Sequence, residues 1–221
     1  MRLGLVTIGQ SPRDDVVPEI RRFLPRGVEI REAGALDGLS PEEIAAHPPL
    51  SPERILVTRL RDGTEVTVDG EFIYERLQRT IEELGREVDL IGLLCSGRFP
   101  KLESAVPLLV PHELVHGFLT ALLLPGPLGV LVPSPEQVSS TEEELQTLGI
   151  HAVGFALSPY RRGIQTRIEE TALALRKREV AAVFLNCFGY GEELKRALVR
   201  SLQRPVVAVR LLFARALAEL L

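Results

Sequence analysis

Two twelve-residue stretches decide the fold: Arg86–Gly97, "REVDLIGLLCSG", and Arg178–Gly189, "REVAAVFLNCFG". In each, an apolar run ends in cysteine, and glycine stands two residues further on. These are the 2 cysteines of the chain. Cysteine lies nine positions after the arginine in both stretches, at 95 after 86 and at 187 after 178. A short continuous apolar run bounded by small residues reads as a strand buried on both faces. A helix precedes each run. The match predicts two related halves, with Cys95 and Cys187 at equivalent places on the carboxyl ends of parallel strands. Open α/β sheets place their ligands at that edge.

Working outward, the elements alternate. "RLGLVTI" (2–8) is a buried strand ending at Gly9. Ser11 is expected to cap a helix over "RDDVVPEIRRFL", with Pro12 at its first position. "VEIREAG" (28–34) is a strand, and "LSPEEIAAH" (39–47) carries a helix start. Residues 54–73 alternate on both sides of Asp62-Gly63, a hairpin signal. "YERLQRTIEELGREV" is an amphipathic helix with Leu77, Ile81 and Leu84 on its apolar face. The second half then resets: "LGVLVPS" (128–134) echoes "LGLVTIG" (3–9). Helices over "EQVSSTEEELQTLG", "RIEETALALRKREV", "EELKRALVRSLQ" and "LLFARALAELL" alternate with strands "HAVGFAL", "AAVFLNC" and "RPVVAVR". This order is α/β: two pseudosymmetric lobes with parallel sheets, and a β-hairpin insertion in the first lobe. The expected division is 1–106 and 107–204, with 205–221 able to pack back onto the first lobe.

Composition narrows the function classes. The net charge is −4 and Trp is absent, which speaks against a nucleic-acid surface. The start, "MRLGLVTIGQSPRDD", lacks the pattern of a signal peptide. The longest apolar region, "FLTALLLPGPLGVLV", is broken by Pro125, Gly126 and Pro127 and is too short to span a membrane. Two cysteines without an export signal suggest a reducing cytoplasm, where a structural disulfide is not expected.

The cysteines have four readings: inert core residues, metal ligands, a disulfide, or a working pair of thiols. One cysteine at a strand end is usually a small buried hydrophobe. Two in matched contexts favour chemistry. One thiolate can remove a proton from a carbon while a thiol on the opposite face returns one, provided both titrate near the working pH. A helix start after each strand would favour the thiolate. Gly97, Gly189 and Gly191 would let backbone N–H groups approach a carboxylate or enolate oxygen. Ser96 and Asn186 add donors.

"LVTIGQSPRDDVVPEI", "GVLVPSPEQV" and "FLNCFGYG" together resemble the AroM family over essentially the whole chain. That family is similar to the aspartate/glutamate racemase superfamily. The resemblance implies two α/β lobes with an active site between them and one cysteine from each, here Cys95 and Cys187. It implies that Thr7, Gly9, Gln10 and Ser11 line the site from the first-strand loop, with Pro133 and Ser134 as their counterparts. Ser96, Gly97, Asn186, Phe188 and Gly189 complete the expected binding set. Phe188 departs from the racemase pattern, which has Thr there, and so removes one expected carboxylate contact. The implied activity is cofactor-independent racemase, epimerase or isomerase proton transfer on a small anionic carboxylate. The alternative is a non-catalytic binder of small anions on the same fold. A cytoplasmic homodimer with no cofactor, no nucleic acid and no membrane partner completes this expectation.

One motif competes. His112-Glu113-Leu114-Val115-His116 is H-E-x-x-H, which on a helix sets two imidazoles one turn apart. The extended three-histidine version fails at Leu119–Leu122. Glu142, Glu143 and Glu144 are formally available as a third ligand, but Pro125-Gly126-Pro127 and a strand intervene. The bland reading is a helix over the lobe junction with both imidazoles partly exposed, and no metal is assigned from sequence. Zinc hydrolysis is the lesser alternative function. Arg161-Arg162, Tyr160 and Tyr190 are further candidates for the site.

Overall fold

The computed structural model describes residues 1–160 and 164–221, the side chains of 164–166 excepted. Residues Met1–His112 with Phe213–Leu221 form one compact unit, and Glu113–Leu212 form a second.

The first unit is built on β1 (Arg2–Thr7), with β2 (Glu29–Gly34) on one side and β5 (Leu90–Leu93) on the other. A two-residue strand, β6 (Leu108–Leu109), joins β5, and every pairing in this sheet is parallel. The second unit has β7 (Leu128–Val132) between β8 (Ala152–Ala156) and β9 (Ala182–Leu185), with β10 (Val206–Ala208) beyond β9, again all parallel. When only the strands of each sheet are numbered, in chain order, both sheets have the order 2-1-3-4. The hydrogen bonds repeat too. Leu94 N donates to Val6 O at 2.7 Å, as Asn186 N does to Leu131 O at 2.9 Å. Ile91 N donates to Pro107 O at 2.9 Å, as Val183 N does to Pro205 O at 2.9 Å.

The central strands β1, β5, β7 and β9 are buried along nearly their whole length, as expected for sheets covered on both faces. Their glycines seat the covering helices. A Cβ at Gly92 of β5 would stand 2.8 Å from Phe213 Cζ on α8 (Val209–Glu219). One at Gly129 of β7 would stand 2.4 Å from Leu175 Cδ2 on α6 (Ile164–Lys177). No helix among the described residues is long and apolar enough to cross a membrane.

Several local expectations are corrected. Ser11 caps nothing: its N–H and hydroxyl go to Asp37, and α1 begins only at Val17 (Val17–Arg21), with Pro18 in its first turn. The helix α2 (Pro41–Ala45) does start as read, with a capping box between Ser40 and Glu43. The hairpin pairs β3 (Ile55–Arg59) with β4 (Glu65–Asp69) around Asp62-Gly63, where Gly63 has φ of 94°. It ends earlier than residue 73, because Asp69 caps a helix that already begins at Gly70. That helix, α3 (Gly70–Leu84), buries Ile73, Leu77, Ile81 and Leu84 on one stripe. The remaining helices are α4 (Pro111–Thr120), α5 (Gln137–Thr147) and α7 (Glu192–Leu202). Apart from Pro111 and His112, α4 belongs to the second unit.

Asp69 ties the hairpin to α3. Its carboxylate accepts from Glu71 N, Phe72 N and Leu50 N and from Arg54 Nη2 at 2.5 Å. Burial pushes this carboxyl up, but the Arg54 guanidinium and the three backbone donors outweigh that and hold it below its ordinary range. A depressed carboxylate stabilises the fold above its unfolded-state pKa and loses that contribution as pH falls through the folded value. Asp69→Ala should therefore cost about 1–2 kcal/mol at neutral pH through the lost cap. In urea titrations the gap to the parent should narrow below about pH 4, near the unfolded carboxyl value. A gap that does not change with pH would contradict this role.

Candidate functional site

Each cysteine stands two residues past the end of the third strand of its own sheet, Cys95 after Leu93 and Cys187 after Leu185. Each sulfur accepts a hydrogen bond from the backbone N–H of the glycine two residues on. Gly97 N lies 3.3 Å from Cys95 Sγ, and Gly189 N lies 3.3 Å from Cys187 Sγ. A thiolate is the better acceptor for such a donor. Neither cysteine is in a disulfide; Cys95 is half-buried and Cys187 buried.

Around Cys95, the loop after β1 is spent on internal bonding. Thr7 is 1% exposed, and its hydroxyl oxygen accepts from Gly9 N at 3.2 Å and from buried Arg13 Nη1 at 3.0 Å. Gln10 donates to Leu39 O at 3.1 Å and accepts from Arg61 N at 3.0 Å. Ser11 donates twice to Asp37, at 2.8 Å from its N–H and 2.5 Å from its hydroxyl. The backbone of β3 passes so close to Gly9 that a Cβ there would stand 2.5 Å from Arg59 O. These residues therefore clamp the 34–39 turn and the hairpin to the end of β1. Ser96 and Gly97, which follow the thiol, are half-buried, and Gly97 faces Leu56 of β3. The helix expected after this strand is missing: the chain runs without helix from residue 94 to β6.

The surroundings of Cys187 are built differently. Asn186 holds the strand end through its N–H to Leu131 O. A Cβ at Gly189 would stand 2.3 Å from Pro159 Cγ, so the 158–160 turn rests directly on this glycine. That approach brings the Tyr160 hydroxyl to 4.0 Å from Cys187 Sγ. Tyr190, also a sequence candidate, is instead a core residue, 0% exposed, donating to Leu157 O at 2.7 Å. The Phe188 side chain is 3% exposed, and its carbonyl accepts from Arg210 Nε at 2.5 Å. Arg210 is itself 4% exposed and supplies a buried cation to the thiol loop. The α7 helix begins at Glu192 after Gly191, five residues past the thiol. On the β7 side Pro133 and Ser134 are half-buried, and the Ser134 hydroxyl bonds Glu136. Arg161 and Arg162 lie outside the described residues.

Sequence reasoning missed Arg210 and Asp37. Asp37 had a weak signal, an acid just before Gly38 in a turn. Arg210 had none, because its partner is 22 residues away across a crossover.

The model of the AroM protein family matches residues 3–221. The chain belongs to the AroM family. Its fold is that of allantoin racemase from Klebsiella pneumoniae, with TM-score 0.64 at 16% identity over 100% of this chain and 87% of that one. Picrophilus torridus aspartate racemase matches with TM-score 0.64 at 16% identity, covering 99% of this chain and 93% of that one. The maleate isomerase Iso from Pseudomonas putida matches with TM-score 0.64 at 13% identity, covering 100% and 92%. No curated protein matches the chain by sequence. At these identities the likeness establishes the shared α/β fold.

The two thiol loops should tolerate change unequally. Gly189→Ala drives a methyl into a proline ring and should cost about 1–3 kcal/mol as overpacking. Gly97→Ala meets the flexible end of Leu56 at 3.0 Å and should cost less. Chemical denaturation of both variants checks the order, and equal losses would contradict it.

Proposed function

We propose that this AroM-family protein is a cofactor-independent racemase or isomerase acting on a small carboxylate, with Cys95 and Cys187 as its acid and base. The observation that carries the reading is the duplicated thiol setting: same strand, same offset, same N–H donor to sulfur. Fold neighbours that are a racemase of allantoin, a racemase of aspartate and an isomerase of maleate support the reaction class.

In this mechanism one cysteine is a thiolate and the other a thiol. The thiolate takes the proton alpha to the carboxylate, and the C–H electron pair moves into an enediolate. The thiol then donates its proton to the opposite face of the same carbon. Substrate charge is unchanged, and the two sulfurs have exchanged protonation states. Backbone N–H groups of the glycine-flanked loops stabilise the enediolate oxygens. In the loop after β1, the N–H groups of Gly9, Gln10 and Ser11 and the side chains of Thr7, Gln10 and Ser11 have internal partners, so the donors to the carboxylate come from the thiol loops. Tyr160, near Cys187 Sγ, would orient that sulfur.

In a second reading the same residues would hold a small anion without turning it over.

The test is alpha-proton exchange in deuterated water over a panel of small 2-amino and 2-hydroxy acids, read by NMR. The parent should exchange at least one of them, and Cys95→Ser and Cys187→Ser should each lower that rate by about a hundredfold or more. Equal exchange in all three proteins, or none in the parent, would contradict the proposal. Thermal stabilisation by a panel acid without exchange would select the binding reading.

A further inference from the structure

The H-E-x-x-H motif has a second helix beside it. His112 and His116 lie one turn apart on α4, both half-buried. Their stripe is next to the one that carries the core residues Val115 and Leu119. Glu144, half-buried on α5, reaches His116, with Oε1 3.8 Å from Nε2. One donor atom from each of His112, His116 and Glu144 lies within 4.8 Å of the others. Of the three successive acids 142–144, the helix phase of α5 selects this one. Glu142 is instead committed to Gly154 N at 2.5 Å.

We propose that His112, His116 and Glu144 form a binding site for a divalent ion of the zinc type. The His116–Glu144 separation is too long for a hydrogen bond. It is close to the spacing of two ligands on one tetrahedral ion: donors at about 2.0–2.2 Å from zinc stand roughly 3.3–3.6 Å apart. Small rotations of the three side chains close the remaining gap. Two imidazoles and one carboxylate suit zinc, cobalt or nickel. They do not suit calcium or magnesium, which take oxygen ligands. Three protein ligands leave a fourth position for water. Glu113, next to His112 in sequence, is exposed. The site uses neither cysteine, so it stands or falls apart from the proton-transfer reading.

The experiment titrates metal-free protein with Co²⁺, followed by its visible absorption, and then displaces Co²⁺ with Zn²⁺. The parent should take up one equivalent with a tetrahedral spectrum. His116→Ala and Glu144→Gln should each weaken uptake by about tenfold or more. Circular dichroism reports that both variants fold, and Glu144→Gln keeps the size of its side chain. Cys95→Ser and Cys187→Ser should bind as the parent does. Absence of a stoichiometric cobalt spectrum in the parent would overturn the site. So would unchanged uptake in Glu144→Gln, or a spectrum that disappears with the cysteines.

Discussion

The last ladder bond of each third strand sets everything that follows. Leu94 N to Val6 O, and Asn186 N to Leu131 O, fix the residue at which the strand stops pairing. The next residue is cysteine in both cases. Beyond that bond the chain must leave the sheet, and in both units a glycine two residues past the cysteine turns its N–H back toward the sulfur. Moving either bond by one residue would turn the thiol to the other side of its strand. The sheets on either side are buried and cannot slip without exposing apolar side chains. The position of the thiols is thus a consequence of sheet register, backed by the core.

The surroundings of the two thiols have diverged. In the first unit a hairpin has been inserted, and the loop after β1 spends its polar side chains holding that hairpin and the 34–39 turn. In the second unit the thiol loop is held from below by Arg210 and from the side by Pro159 and Tyr160. Phe188 follows the second thiol directly. Its side chain is turned into the core, so what this position offers the loop is its carbonyl, fixed by a buried guanidinium.

What was legible in the sequence was what local chemistry encodes. The buried strands, the Asp62-Gly63 hairpin, the Ser40 capping box and the paired cysteines all follow from short-range patterns. β6 was not legible, since two residues carry no period and the strand exists through its pairing with β5. Ser11 has the composition of a helix cap, but the long-range bond to Asp37 wins it. Arg210 looks like any helix-start arginine until the crossover brings the Phe188 carbonyl to it. The choice of Glu144 among three glutamates needed the phase of α5 against α4. Long-range contacts, then, decide the residues that surround each thiol, while the thiols themselves were readable.

The central claim is that the two strand-end thiols act on one carbon from opposite faces. A crystal structure with a bound small carboxylate tests it most directly. With one reacting carbon between two near-attack contacts, Cys95 Sγ and Cys187 Sγ should stand about 7–8 Å apart with the alpha carbon between them. A ligand bound away from both sulfurs, or sulfurs too far apart to reach one carbon in the closed, ligand-bound protein, would contradict it.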